Sequence, residues 1–327
     1  PLQIVTECVV KRMHQQDGKV TALDTTRGMV NVGNAKVILA MGTMPPATLL
    51  LNSFPQIKKA GDRFTAHFIT SVVARVPRVD FAFGDKLNEL ELAAIYMAGK
   101  NKQSGMQYHV QLSVLSDKKP MKNAQLAARY MPDVVATASM AQLKSSEDYV
   151  VFVCAVLGEM DFRNQDNHLR RNGEADPTTN VTLQALANAT DRATWDTMDE
   201  GTFQMLERVL SPKGKSHVEY WHGDPDVGTW KEEQPPVAQR RVPGLVHEGS
   251  TLWIGDGNEG AVGLDYRPHG VDNVYVTGGS LWPASGSWNP TMTMVALTQD
   301  LADKFLNADK DQKSQKKVQK AKSLEEV

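Results

Sequence analysis

Asn289 and Pro290 stand at the mouth of a helical pattern in "SGSWNPTMTMVALTQDLADKF", residues 285–305, directly after a Gly- and Ser-rich turn. Asn is a favoured N-cap and Pro a favoured first helical residue, so the pair suffices to start a helix. A helix N-terminus also presents unpaired N–H groups and partial positive charge, which suits an anionic or electron-rich ligand atom. Upstream of this start, His247 lies in "HEGSTLWIGD". An imidazole with an ordinary pKa of about 6.5 accepts a proton near neutrality, and an amide orients a hydroxyl oxygen without titrating. His67, His109, His222 and His269 read better as structural or surface residues, although His109 in "YHVQLSV" can also face a substrate cavity.

Elements must hold these groups in place. In the helix that follows Asn289, Thr291, Met294, Val295, Leu297, Thr298, Leu301, Ala302 and Phe305 recur at three- and four-residue spacing, which predicts one buried face. "IVTECVVKRMHQQDGKVTALDTT" has the pattern of a β-hairpin turning at "QQDGK". "NAKVILAMGTMPPATLLLNSF" gives an apolar strand over 37–41, a break at Gly42 and a helix carrying Ala47, Leu49, Leu50 and Leu51. Strand, glycine turn and helix form the unit of an α/β nucleotide-binding sheet. From about 70 to 245 the separated strands "SVVARVPRV", "YHVQLSVL" and "DYVVFVCAVLG", with a helical "ATWDTMDEGTFQMLERVL", predict a mainly antiparallel α+β insertion. "GDPDVGTWKEEQPPVAQRRVPG" reads as a surface loop, and the charged stretch from Ala308 as a frayed helix or disordered end.

The 327 residues suit about two domains. A net charge of −2 provides no field for nucleic acid or a membrane surface, and no apolar run approaches the roughly 20 residues of a membrane span. Cys8 and Cys154 form neither a CxxC pair nor a disulfide framework, and no metal-ligand spacing is present. A small-molecule partner is expected. Asn180-Val-Thr and Asn188-Ala-Thr match the glycosylation acceptor, a pattern frequent by chance.

"VPGLVHEGSTLWIGD", "HGVDNVYVTGGSLWPASGS" and "WNPTMTMVALTQDLADKF", in this order, resemble the C-terminal signature of the glucose-methanol-choline (GMC) oxidoreductases. "NAKVILAMGTMPPATLLLNSF" and "AGDRFTAHF" are similar to earlier segments of that family. The resemblance implies an α/β fold: a partial FAD-binding Rossmann-like domain from 1–70 and 247–307, an inserted antiparallel α+β substrate-binding domain over 71–246, and a charged tail over 308–327. It implies FAD as cofactor, His247 as the base that takes the substrate hydroxyl proton, and Asn289 as its partner. Pro290 and Thr291 open the helix whose N-terminus would meet the flavin. Gly278, Gly279 and Ser280 match the stretch where backbone approaches the cofactor, and Gly42 would lie near it; the plain alternative for each is a tight turn. Many members carry an acidic residue where Gly278 stands, and its absence, with the His and Asn pair, resembles the pyranose oxidase branch and makes a sugar or glycoside hydroxyl the expected substrate. The family's first strand, Gly-x-Gly-x-x-Gly turn and helix have no counterpart in context: "GDGNEGAVG" from residue 255 follows the His247 segment and reads as a loop. The expected partner is therefore an N-terminal fragment or second subunit that completes the FAD domain. A cyanohydrin lyase on the same fold, or a non-catalytic partner subunit, is the alternative function.

Overall fold

The computed structural model describes residues 2–131, 137–257 and 259–325, with side chains as far as Ala308. Along the chain come β1 (Val10–Gln16), β2 (Lys19–Thr25), β3 (Gly28–Asn31), β4 (Val37–Leu39), α1 (Met44–Ser53), β5 (Thr65–Pro77), β6 (Leu90–Lys100), β7 (Gln107–Asp117) and α2 (Pro120–Tyr130). β8 (Tyr149–Glu159), β9 (His168–Arg171), β10 (Val181–Gln184), α3 (Ala189–Met205), β11 (Glu219–Gly223), β12 (Gly228–Lys231), β13 (Arg241–Gly249), β14 (Val274–Val276) and α4 (Thr291–Glu325) follow.

The hairpin forms where the turn signal places it. Asp17 and Gly18 take φ of 52° and 78°, the double positive φ of a type I′ turn between β1 and β2. β4 runs into a turn at Gly42, whose φ of 76° favours glycine, and α1 follows with proline in its first turn. β4 pairs in parallel with β14, so the beginning and the end of the chain share one sheet. Their core joins Met13, Val20, Leu39, Leu50 and Phe54 to Val262, Tyr266, Val274, Val276 and Leu301. Burying each of these larger side chains contributes about 1.5–3 kcal/mol.

A second sheet lies between these segments in sequence, in the order β12-β11-β5-β8-β7-β6, with β13 also on β5, and its pairings are antiparallel. One face is covered by α3: Phe68, Val72, Leu112, Phe152 and Val156 pack with Met198, Phe203 and Leu206. Asn188 starts α3 through a capping box with Asp191. The buried Asp199 carboxylate ties α3 to the sheet, accepting from Thr70 and from Arg240 and Arg241. The fold is thus mixed α/β with a small parallel sheet and a large antiparallel one.

Residues 223–244 are not a plain loop: Gly223, at φ 108°, lets β12 fold back on β11, and Trp230 packs edge-on against Trp221 with Arg75 over its ring. The last helix continues to Glu325, in keeping with a tail rich in the helix formers Lys, Gln, Glu and Ala. Its predicted buried face is covered only in part: Leu301 is 3% exposed and Leu297 and Phe305 pack against the core, but Val295 is 59% exposed. Gly255, Gly257 and Gly260 do carry Gly-x-Gly-x-x-Gly spacing, yet Gly255 N–H donates to Val262 C=O, and the described residues that follow turn without a helix. Neither glycosylation match is an open acceptor: Asn180 is buried and hydrogen-bonded to Asn52, and Asn188 is the α3 cap. Among the described residues no helix is long and apolar enough to cross a membrane.

Candidate active site

Strand alternation gives the second face of the large sheet a polar character. His67 on β5 is the register partner of Glu159 on β8, and His109 and Gln111 on β7 face Leu157 and Ala155 two and four positions along β8. His67, Glu159, His109 and Gln111 therefore project from one face, opposite Phe68 and its stacking partner Trp195 of α3. Tyr96 joins them from β6 as the partner of Gln111.

The segment Ser285–Asn289 lies across this face. The Ser285 carbonyl stands 3.5 Å from His67 Nε2, and the Ser285 hydroxyl donates to Ala66 C=O. His109 Nδ1 makes a short hydrogen bond to the Ser287 carbonyl, and the Trp288 ring stacks on His109 at 5.1 Å and 3°. Asn289 reaches Gln111, with its Nδ2 3.5 Å from Oε1. The first intrahelical hydrogen bond of α4 runs from Met294 N–H to Pro290 C=O. Pro290 thus takes the cap position, Thr291 is the first helical residue, and Asn289 stands just outside with its side chain turned to the sheet. The expectation that Asn289 caps the helix is corrected; its amide is free of that duty.

His247 reaches the same face by an irregularity. Val246 pairs directly with His67, so regular alternation would send His247 to the other side. A register shift between Val246 and Gly249 and a φ of 58° at His247 turn the imidazole back, and its Nδ1 sits 3.0 Å from His67 Nδ1. A non-glycine residue in the left-handed region costs roughly 1–2 kcal/mol. Gly249 permits the bulge, because a Cβ there would lie 2.4 Å from the Trp282 ring. Burial lowers the His247 pKa, against a smaller upward pull from Glu248, so the ring is neutral and able to accept a proton at pH 7. His109 is likewise held down by burial. Burial raises Glu159, which accepts the Gln107 N–H at 3.0 Å.

The glycines gather beside this site. Gly42 and Gly278 follow the parallel strands β4 and β14, and a Cβ on Gly278 would stand 3.6 Å from the Gly42 carbonyl. Both have positive φ, and a Cβ on Gly42 would meet nothing within 4 Å, so the bare backbone of this turn borders open space. Thr43 donates to Glu248 C=O at 2.6 Å, and Ser250 N–H donates to Gly279 C=O at 3.2 Å, which joins the turn to the His247 strand. The Ser280 hydroxyl is buried and has no hydrogen-bond partner among the described residues. The carboxyl ends of parallel strands are where open α/β sheets bind their ligands, and close backbone approach fits a dinucleotide's phosphate and ribityl parts. Gly42, Gly278, Gly279 and Ser280 are therefore together, and the expected His247 and Asn289 meet the same sheet face through His67, Ser285 and Gln111. Pro290 is buried and Thr291 exposed, at the start of α4 directly after Asn289.

Gln111, Glu159 and Trp288 on this face are not singled out by the sequence reading, which takes His67 as structural or surface. Polar residues at 107, 109 and 111 alternate in an otherwise apolar strand, a signal for one polar sheet face. His67 had no such local mark. Among the described residues no cluster of three or more His, Cys, Asp or Glu is placed to hold a metal.

A mixed α/β fold, with a small parallel sheet and a large antiparallel one that is polar on one face, is the class these features define. Residues 163–298 match the C-terminal part of the GMC oxidoreductase family. Among solved structures the chain resembles pyridoxine 4-oxidase from Mesorbium loti, at 14% identity and a TM-score of 0.51, over 92% of this chain and 57% of that one. It also resembles an FAD-dependent oxidoreductase from Chaetomium thermophilum in complex with a fragment, at 12% identity and a TM-score of 0.52, over 94% of this chain and 62% of that one. At such identities the likeness is one of fold, and the chain spans about three fifths of the length of these two structures. No curated protein sequence matches it. The match to the GMC oxidoreductase family model indicates FAD as the cofactor.

Proposed function

We propose that the protein takes part in oxidation of an alcohol, with His247 as base and Asn289 as the group that orients the hydroxyl oxygen. FAD, when bound, supplies the acceptor for the hydride that leaves the substrate carbon. His247 takes the hydroxyl proton, the carbon–oxygen bond becomes a carbonyl, and two electrons leave with the hydride. Asn289 Nδ2 donates to the substrate oxygen and carries no charge through the reaction. Gly42, Gly278, Gly279 and Ser280 would hold the cofactor along their turn, with Pro290 and Thr291 presenting the positive end of α4. The observation that carries this reading is the bulge that turns His247 out of strand alternation onto the face that also bears His67 and Gln111. Anaerobic mixing with alcohols tests it: the flavin should bleach, and His247→Ala should slow bleaching far more than it weakens substrate binding.

A sugar or glycoside hydroxyl is the substrate class we propose. Its support is a lining of neutral amides, Gln111 and Asn289, beside the half-exposed Trp288 and Tyr96 rings, a mixture suited to a polyhydroxyl ring. A panel of sugars against aromatic and aliphatic alcohols tests this choice.

We also propose that a further polypeptide segment, in the same chain or a second one, completes the cofactor domain. Two-stranded β4–β14 is too narrow for a parallel sheet covered on both faces. Ile38 at 50% exposure, and Val295 and Met292 on α4, are apolar surface of the kind a partner covers. Native mass spectrometry of the purified flavoprotein should find that segment, and a stable flavin-free monomer of these 327 residues alone would count against it.

A further inference from the structure

We infer that His67 is a positioning residue that locks His247 in the Nδ1–H tautomer, leaving the His247 Nε2 lone pair for the substrate. The inference rests on the proposed role of His247 and goes beyond it by assigning the group that prepares the base. Two imidazole Nδ1 atoms 3.0 Å apart, with rings edge-on at 81°, share one proton: two bare nitrogens would repel and two N–H groups would clash. Which ring carries it is decided at the far side of His67. His67 Nε2 faces the Ser285 carbonyl oxygen, at 3.5 Å, and a carbonyl can only accept. The proton of a neutral His67 therefore belongs on Nε2, its Nδ1 is a lone pair, and His247 must donate through Nδ1.

The surroundings keep His67 neutral. It is fully buried between β8 and β13, opposite Glu159 and Val246. Burial first, then the neighbouring His247 and His109, push its pKa down to about 4, while backbone contacts at Ser285 and Gly286 pull the other way. An uncharged acceptor suits this work: it fixes ring orientation and tautomer without giving His247 a counter-charge that would hold a proton through the resting state. His67 is fully buried against Ser285 and His247, and acts through His247.

The test uses the native flavoprotein labelled with 15N-histidine, in which protonated and bare ring nitrogens have well separated shifts, with His247→Ala assigning the resonances. Near pH 7.5 the wild type should show His247 protonated at Nδ1 and bare at Nε2. His67→Leu, which cannot accept, should release the ring to a mixture of tautomers and slow flavin reduction on the order of 10- to 100-fold. His67→Asn, whose Oδ1 lies near the position of Nδ1, should restore the Nδ1–H tautomer and most of the rate. His247 protonated at Nε2 in the wild type, or an unchanged tautomer in His67→Leu, would overturn the lock. Correct tautomer behaviour with no alcohol able to bleach the flavin would uphold the lock and remove the alcohol-oxidation reading instead.

Discussion

Replacing His67 by Leu should make the fold less sensitive to mild acid. The folded imidazole has a pKa of about 4, whereas a free one has about 6.5. Below pH 6.5 the unfolded chain takes up this proton and the folded chain does not. Stability from the neutral buried ring is therefore complete above pH 6.5 and declines as pH falls toward 4. At pH 5 the loss relative to pH 7 is about 2 kcal/mol, rising to about 3 kcal/mol at and below pH 4. Leu at 67 fills the same enclosed space and binds no proton. Carboxylates with lowered values, such as Asp80 and Asp161, titrate alike in both proteins and cancel in the difference. Denaturant unfolding at pH 7 and pH 5 measures it: the wild type should lose about 2 kcal/mol more than the variant over that interval. Parallel loss in the two proteins would refute a buried neutral His67 and, with it, the proton placement argued for the His247 pair.

Other outcomes follow from the same geometry. His247→Ala should lower the rate constant of flavin reduction by at least about 100-fold with substrate affinity changed only a few-fold, as seen by stopped-flow absorbance. Asn289→Ala should shift the thermal midpoint by no more than about 1 °C, because Pro290 and not Asn289 holds the cap position, while alcohol turnover falls. Gly278→Val places a β-branched residue at φ 97° against the Gly42 turn, and the purified variant should retain less flavin per polypeptide in its visible spectrum.

Local patterns were legible. The Asp-Gly hairpin, the β4, Gly42 and α1 unit, and a helix beginning beside Asn289 each depend on a few adjacent residues. Ordered motifs named Gly42, Gly278, Gly279, His247 and Asn289, and the structure brings the three glycines together and sets His247 and Asn289 on one sheet face. What escaped depends on register. His67 gains its meaning only when β13 pairs with β5 and a bulge reverses the next residue, a relation across 180 positions of chain. The β11–β12 hairpin was hidden because its stabilising contacts, Trp221 on Trp230 and Arg75 over Trp230, join a Gly- and Pro-rich stretch to a distant strand. The α4 face followed the right period, but periodicity states which residues are apolar and not what covers them.

Anaerobic addition of alcohols to the native flavoprotein, followed at the flavin absorption bands, tests the central claim most directly. The account predicts bleaching by at least one class of alcohol, sugars first, and loss of that bleaching in His247→Ala. A flavin that stays oxidised with every alcohol, or bleaches equally fast without the His247 imidazole, would contradict it.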